Sequence, residues 1–234
     1  MAVAKVGTTI GLAGAIVAPA GNPQTVAVPT GGYPVGTIIT AFGITNDGIS
    51  TITDAKGNAW NRRLGAVTQG QVPTRCFLWD CYVRTALLAG DLISVTRFSQ
   101  NWFGFAVQGW SGCDPGQWFD GACDPFAFTT TTPTTNPLTT TAAGNAIIGV
   151  FANGNGGNSA ATQITTPGSG YTNETGYSSG GPEGWVGIDW ESKIAGAAGS
   201  EAAACTYGSA PSTSYSGCFV AAYGAHVASS VGVN

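Results

Sequence analysis

Three acidic residues stand where catalysis would want them: Asp80 in FLWDCYV, and Asp189 and Glu191 in GIDWESK. Paired carboxylates supply the acid and the base, or the nucleophile, of glycoside hydrolysis. Asp189 and Glu191 are two apart in a strand-like segment, so they share a face. Asp80 and Asp189, however, fall at matching positions of an internal repeat, and duplication accounts for that pair more simply than catalysis does. On an outward sheet face such residues are expected to be solvated. A Ser-His-Asp arrangement would have to use His226, the only histidine, which is expected to be structural or on the surface. Zinc is disfavoured for the same reason and because there is no C-x-x-C pair. No catalytic residue, metal or cofactor is expected.

A second group is the segment GCDPGQWFDGACDP, in which Asp114, Trp118 and Asp120 lie between Cys113 and Cys123, with Asp124 just beyond. An aromatic ring beside carboxylates suits a sugar, because the ring takes its apolar face and the acids take its hydroxyls. Carboxylates also hold calcium, but the spaced-aspartate calcium loop pattern is missing. The loop is expected to pack its tryptophan inward. Asp114, Trp118 and Asp120, with the loop tryptophans Trp102 and Trp185, are the candidate glycan or partner contacts. Trp60, Trp79, Trp110 and Trp190 sit in strand patterns and are expected in packing.

Six cysteines allow 15 connectivities. Cys76 and Cys81 are excluded as a pair, since five residues of strand separate them by about 16 Å, beyond the reach of a disulfide. Two bridges fit the spacing, Cys113 with Cys123 around the loop and Cys205 with Cys218 across a hairpin, and the other connectivities stay open.

The elements that must carry these residues are strands. TVAVP, TIITAFGI, ISTITD, AWNRRLGAV, RCFLWDCYV, LISVTRF and WFGFAVQGW are short and rich in β-branched or aromatic residues, with turn residues between them. Alternation puts Trp79, Cys81 and Val83 on the core face of one strand, with Asp80 and Tyr82 on the other face. The best helical candidate is TALLAG, residues 85–90. After the Thr/Pro stretch at 129–141 the pattern restarts, NAIIGVFAN matching GTIITAFGI and EGWVGIDWESKIAG matching RCFLWDCYVRTALLAG. Ile38 against Ile147 and Asp80 against Asp189 give one offset of 109 residues. The expected fold is an all-β, antiparallel, jelly-roll-like sandwich made of two loosely duplicated halves. Residues 1–24 form an N-terminal arm or first strand, 25–128 the first half, 129–144 the connection and 145–234 the second half, the two halves packed as one domain.

Charged residues make up only 9% of the chain, and Gly, Thr, Ser and Asn take their place, so the surface is neutral and rich in hydroxyls. Such a surface suits a protein packed against neighbours. The net charge of −4 and the absence of a basic run disfavour nucleic acid. The most apolar segment, IGLAGAIVAPA, is too short to span a bilayer, and the Gly and Thr interruptions in MAVAKVGTTIGLAGAIVAPAG argue against a cleaved leader.

GTIITAFGI, ITDAKGNAWNRR, FLWDCYVRTALLAGDLISV, GWSGCDPGQWFDGA and TTTTPTTNPLTTTAAGNAIIGVFAN, taken together, resemble a family of jelly-roll-type structural proteins of actinobacterial-type tailed phages. Members are described as minor tail or capsid-decorating proteins, and similar domains occur in bacterial surface proteins. The likeness spans about residues 25–226. Cys113 stands where an aliphatic residue is usual, which hints at an added disulfide with Cys123. The resemblance implies a non-enzymatic virion structural protein on a capsid or tail. Its partners would be copies of itself and major capsid or tail proteins, and its place the virion surface. The alternative is an extracellular carbohydrate-binding module or adhesin that recognises host-surface glycans.

Overall fold

The computed structural model describes residues 2–14, 22–46, 48–68, 74–98, 103–155, 164–174, 176–181, 184–208 and 215–224. The described residues form strands and loops and no helix. The strands of the first part are β1 (Ala4–Gly14), β2 (Gln24–Ala27), β3 (Ile38–Thr45), β4 (Ile49–Asp54), β5 (Trp60–Thr68), β6 (Thr74–Tyr82), β7 (Leu92–Arg97), β8 (Phe103–Ser111) and β9 (Phe119–Ala122). Those that follow are β10 (Leu138–Thr140), β11 (Ala146–Asn155), β12 (Ile164–Thr166), β13 (Thr172–Asn173), β14 (Tyr177–Gly181), β15 (Gly184–Ile194), β16 (Gly199–Glu201), β17 (Thr206–Tyr207) and β18 (Tyr215–Tyr223).

Two antiparallel sheets pack face to face as a sandwich. One has the order β1-β8-β3-β6-β5 and the other β13-β15-β11-β18-β9, with β14 also on β15. β8 lies against β15, β3 against β11 and β6 against β18. The core between them holds Ile38, Phe42, Leu78 and Trp110 from the first sheet and Ile148, Val150, Trp190 and Phe219 from the second. Trp190 is its hub, edge-on to Phe42 at 5.2 Å and to Trp110 at 6.4 Å between ring centroids.

Both sheets are also covered on their outer faces, which is why β3 is buried along its whole length. A small sheet, β2-β7-β4, covers the first and closes a second core around Ile39, Phe77, Cys81, Ile93 and Val107. The pairs β10-β16 and β12-β17, with their loops, cover the second, where the side chain of Ala203 lies over Gly149. Glycines permit these close approaches: a Cβ on Gly43 would stand 2.1 Å from the carbonyl oxygen of Gly104.

Several expectations change here. β6 has two buried faces, with Cys76 and Leu78 in the core between the sheets and Phe77, Cys81 and Val83 in the second core. TALLAG is no helix, because Leu87 bridges to Tyr33 and the chain turns tightly at Gly90. The N-terminal segment is an edge strand of its own domain, β1 paired with β8. β9 joins the second sheet beside β18, and the Thr/Pro connection runs through the outer layer, where Thr135 N–H donates to Ala203. In each sheet the central strand, β3 or β11, is flanked by two strands that follow it in the chain, β6 and β8 in one and β15 and β18 in the other. The rungs differ, however. Thr40 stands opposite Asp80, whereas Gly149 stands opposite Glu191 and Phe151 opposite Asp189. If Ile38 is set against Ile147, the residue at Asp80's rung is therefore Glu191.

Candidate functional site

The acidic residues are engaged inside the fold. Asp80 is fully buried, its Oδ2 2.7 Å from Arg63 Nε and its Oδ1 accepting from Asn61 Nδ2 at 3.3 Å. Asp189 and Glu191 are buried as well, at 6% and 0% exposure, so the expectation of solvated strand residues is overturned for all three. They also lie in different layers. Asp80 shares a face with Leu78 of the core between the sheets, whereas Asp189 and Glu191 point away from Trp190, toward the outer layer. Glu191 accepts from Gly168 N–H at 2.7 Å and from Ala204 N–H at 3.1 Å. Asp189 faces the Tyr207 hydroxyl and the Ile164 backbone. Burial raises both carboxyls to about 7 despite these donors, and Lys193 opposes the rise at Glu191.

All six cysteines are buried free thiols, so neither Cys113–Cys123 nor Cys205–Cys218 is bridged. Cys113 and Cys123 are held apart by β9, which extends the chain between them, and Cys123 Sγ instead accepts from Val220 N–H at 3.2 Å. Cys205 lies near enough to Cys218 to help raise its thiol, yet both are free. Cys205 N–H bonds to Pro133 in the outer layer, while Cys218 lies on β18 within the main sheet. Burial pushes the thiols of Cys76, Cys81 and Cys113 up to about 12 and raises those of Cys123, Cys205 and Cys218. Among the described residues no group of cysteine, histidine and acidic side chains is arranged to hold a metal.

The loop from Cys113 forms one wall of a cleft of about 500 Å³. Asp114 Oδ1 accepts from Gly116 N–H at 2.7 Å and closes the Asp-Pro-Gly turn. The loop is clasped to the end of β18, with Asp114 N–H on Gly224 O at 3.1 Å and Gly224 N–H on Trp118 O at 2.8 Å. Asp120 fixes the opposite wall, accepting from Thr141 N–H at 2.7 Å, Thr141 Oγ1 at 2.5 Å and Asn145 Nδ2 at 2.5 Å. Arg63 enters from β5, its guanidinium 4.7 Å from the Phe119 ring centre and 5.8 Å from that of Trp118. Trp118 also packs on Tyr82 at 5.7 Å, and its Nε1 is buried without a hydrogen-bond partner. Tyr223, fully buried, edges Phe119 at 5.6 Å. Burial, helped by the charge of Asp80, raises its phenol well above the usual range.

Asp114, Trp118 and Asp120 thus come together in one place, as their loop suggested. Arg63, Thr141 and Asn145 join them from distant segments. A sequence signal existed for Arg63 alone, a cation in the strand pattern before Asp80 in a chain with few charges. Trp102 and His226 lie outside the described residues, as does the side chain of Trp185. Trp110 and Trp190 are core residues, and Trp60 and Trp79 pack at the edge of the second core. Residues 176–180, GYSSG, have the spacing of a nucleophile elbow, but Ser178 is paired with Gly187 inside β14 and is not on a strand-to-helix turn. No helix of the described residues is long and apolar enough to cross a membrane. No family model, curated protein or solved structure matches the chain.

Proposed function

We propose that the protein is a non-enzymatic virion structural protein, a jelly-roll-like module of two duplicated halves that docks on a phage capsid or tail with copies of itself and the major capsid or tail protein. The carrying observation is an apolar rim on a nearly uncharged chain. Val35, Leu88 and Leu92 are 61%, 64% and 46% exposed; the first two sit in loops tied together by the Tyr33–Leu87 bridge and the Gly36–Val83 hydrogen bond, and Leu92 opens β7. Large apolar side chains grouped on a monomer's surface mark interaction sites. The engagement of Asp80, Asp189 and Glu191 in internal ties supports a structural role, and the shared strand order of the two sheets supports duplication. The test is incorporation: gradient-purified particles contain the wild-type chain, and a folded Val35→Asp, Leu88→Asp variant is depleted from them. Equal incorporation of the variant rejects the rim as the docking surface.

The cleft favours a second reading, a carbohydrate-binding module or adhesin on the same particle or free outside cells. Its volume lies within the ~300–1,000 Å³ of small-molecule sites, and it pairs aromatic rings with fixed polar groups.

A further inference from the structure

We infer that the cleft between the Cys113–Trp118 loop and Thr141–Asn145 takes a neutral pyranose and rejects uronates and sialic acids. This inference rests on the carbohydrate-binding reading and names its ligand class.

The charges at the cleft decide the point. Arg63 is its only cation among the described lining residues, and its Nε is already held by Asp80 at 2.7 Å. Together Arg63 and the buried Asp80 behind it carry no net charge. Asp114 and Asp120 remain as two uncompensated carboxylates on the lining. An anionic sugar would bring a third carboxylate beside them, and like-charge contact is a standard means of excluding a wrong ligand. A neutral sugar meets no such barrier. Its hydroxyls donate, and the cleft offers acceptors in the second oxygen of Asp114, the side-chain amide oxygen of Gln117 and Thr141. Trp118 and Phe119 add apolar surface to the lining beside the Arg63 guanidinium, for contact with a sugar's C–H groups.

The cleft is also preformed. Asn145 is fully buried and bonded to Asp120, and Asp120 in turn holds Thr141 by two bonds. Gly224 leaves space at the floor, where a Cβ would stand 3.1 Å from the Gln117 carbonyl oxygen. A rigid site of this kind does not have to order itself on binding, which favours a small neutral ligand that offers little interaction energy.

The experiment is a binding titration of the full chain on immobilised neutral hexose oligosaccharides and on matched ones ending in uronate or sialic acid. It is repeated with Trp118→Ala, with the exposed Gln117→Ala and with Asp114→Asn, each first shown to unfold cooperatively. The expected result is saturable binding of neutral glycans, weakened about tenfold in Trp118→Ala, together with a gain for acidic glycans in Asp114→Asn. Saturable binding confined to acidic glycans would overturn the neutral class while keeping the site. No saturable binding to either set would overturn the carbohydrate reading as well. Binding unchanged in both Trp118→Ala and Gln117→Ala would place any sugar site elsewhere and overturn the inference.

Discussion

Raising the pH from 5 to 8 should destabilise this protein, and Asp189 should be a principal cause. In the unfolded chain its carboxyl ionises near 3.8, and in the fold burial moves it to about 7. Between these values the folded protein holds a proton that the unfolded chain has lost, so stability falls as the pH rises through that window and is flat above it. At 1.36 kcal/mol per pH unit, the two units from pH 5 to the folded value amount to about 3 kcal/mol. Glu191, also moved to about 7, adds to the loss. The groups facing the pair include Tyr207, Cys205 and the Ile164 backbone at Asp189, and Lys193, Tyr171, Cys205 and the Gly168 and Ala204 amides at Glu191. The assay is urea unfolding followed by tryptophan fluorescence at pH 5, 6, 7 and 8. Asp189→Asn keeps the shape and an acceptor for Tyr207 but cannot ionise, so its loss over the same range should be smaller by about 3 kcal/mol. Stability that is flat or rises from pH 5 to 8, or an Asn variant with the wild-type slope, would refute the reasoning.

Three further outcomes follow from the packing. Arg63→Ala leaves Asp80 buried without its cation and should cost about 3–5 kcal/mol in denaturant unfolding, much of it recovered when Asp80→Asn is added. Gly43→Ala drives a Cβ into the Gly104 carbonyl and should cost roughly 1–3 kcal/mol, read as a lower thermal midpoint. A thiol reagent should label none of the six cysteines in the native protein and all six in urea without reductant, and fewer than six would reveal a bridge.

The strands were legible because alternation and β-branched runs are local properties, and TIITAFGI, RCFLWDCYV and NAIIGVFAN all fold as such. What lay over each sheet was not. Phe77 and Cys81 look like one core face of β6 and Leu78 and Asp80 like a solvent face, but the β2-β7-β4 sheet covers one side and the second main sheet covers the other. Asp80 reads as an exposed strand residue until Arg63, on the adjacent strand, is seen to neutralise it. The offset of 109 residues matched letters along the chain, but hydrogen-bond register puts Glu191 rather than Asp189 at Asp80's rung, and insertions in the intervening loops hide that shift. In the cleft, the Asp114 to Asp120 loop was visible as one stretch of sequence. Its other wall, Thr141 and Asn145, exists only because Asp120 reaches across to bind it.

The most direct test of the central claim is immunogold labelling of this protein on intact particles from its natural source, viewed by negative-stain electron microscopy. A virion structural protein predicts gold on the particles, spread over the head for a decoration protein or confined to the tail for a tail protein. Particles without label, with the protein recovered free in the surrounding fluid, would contradict the account.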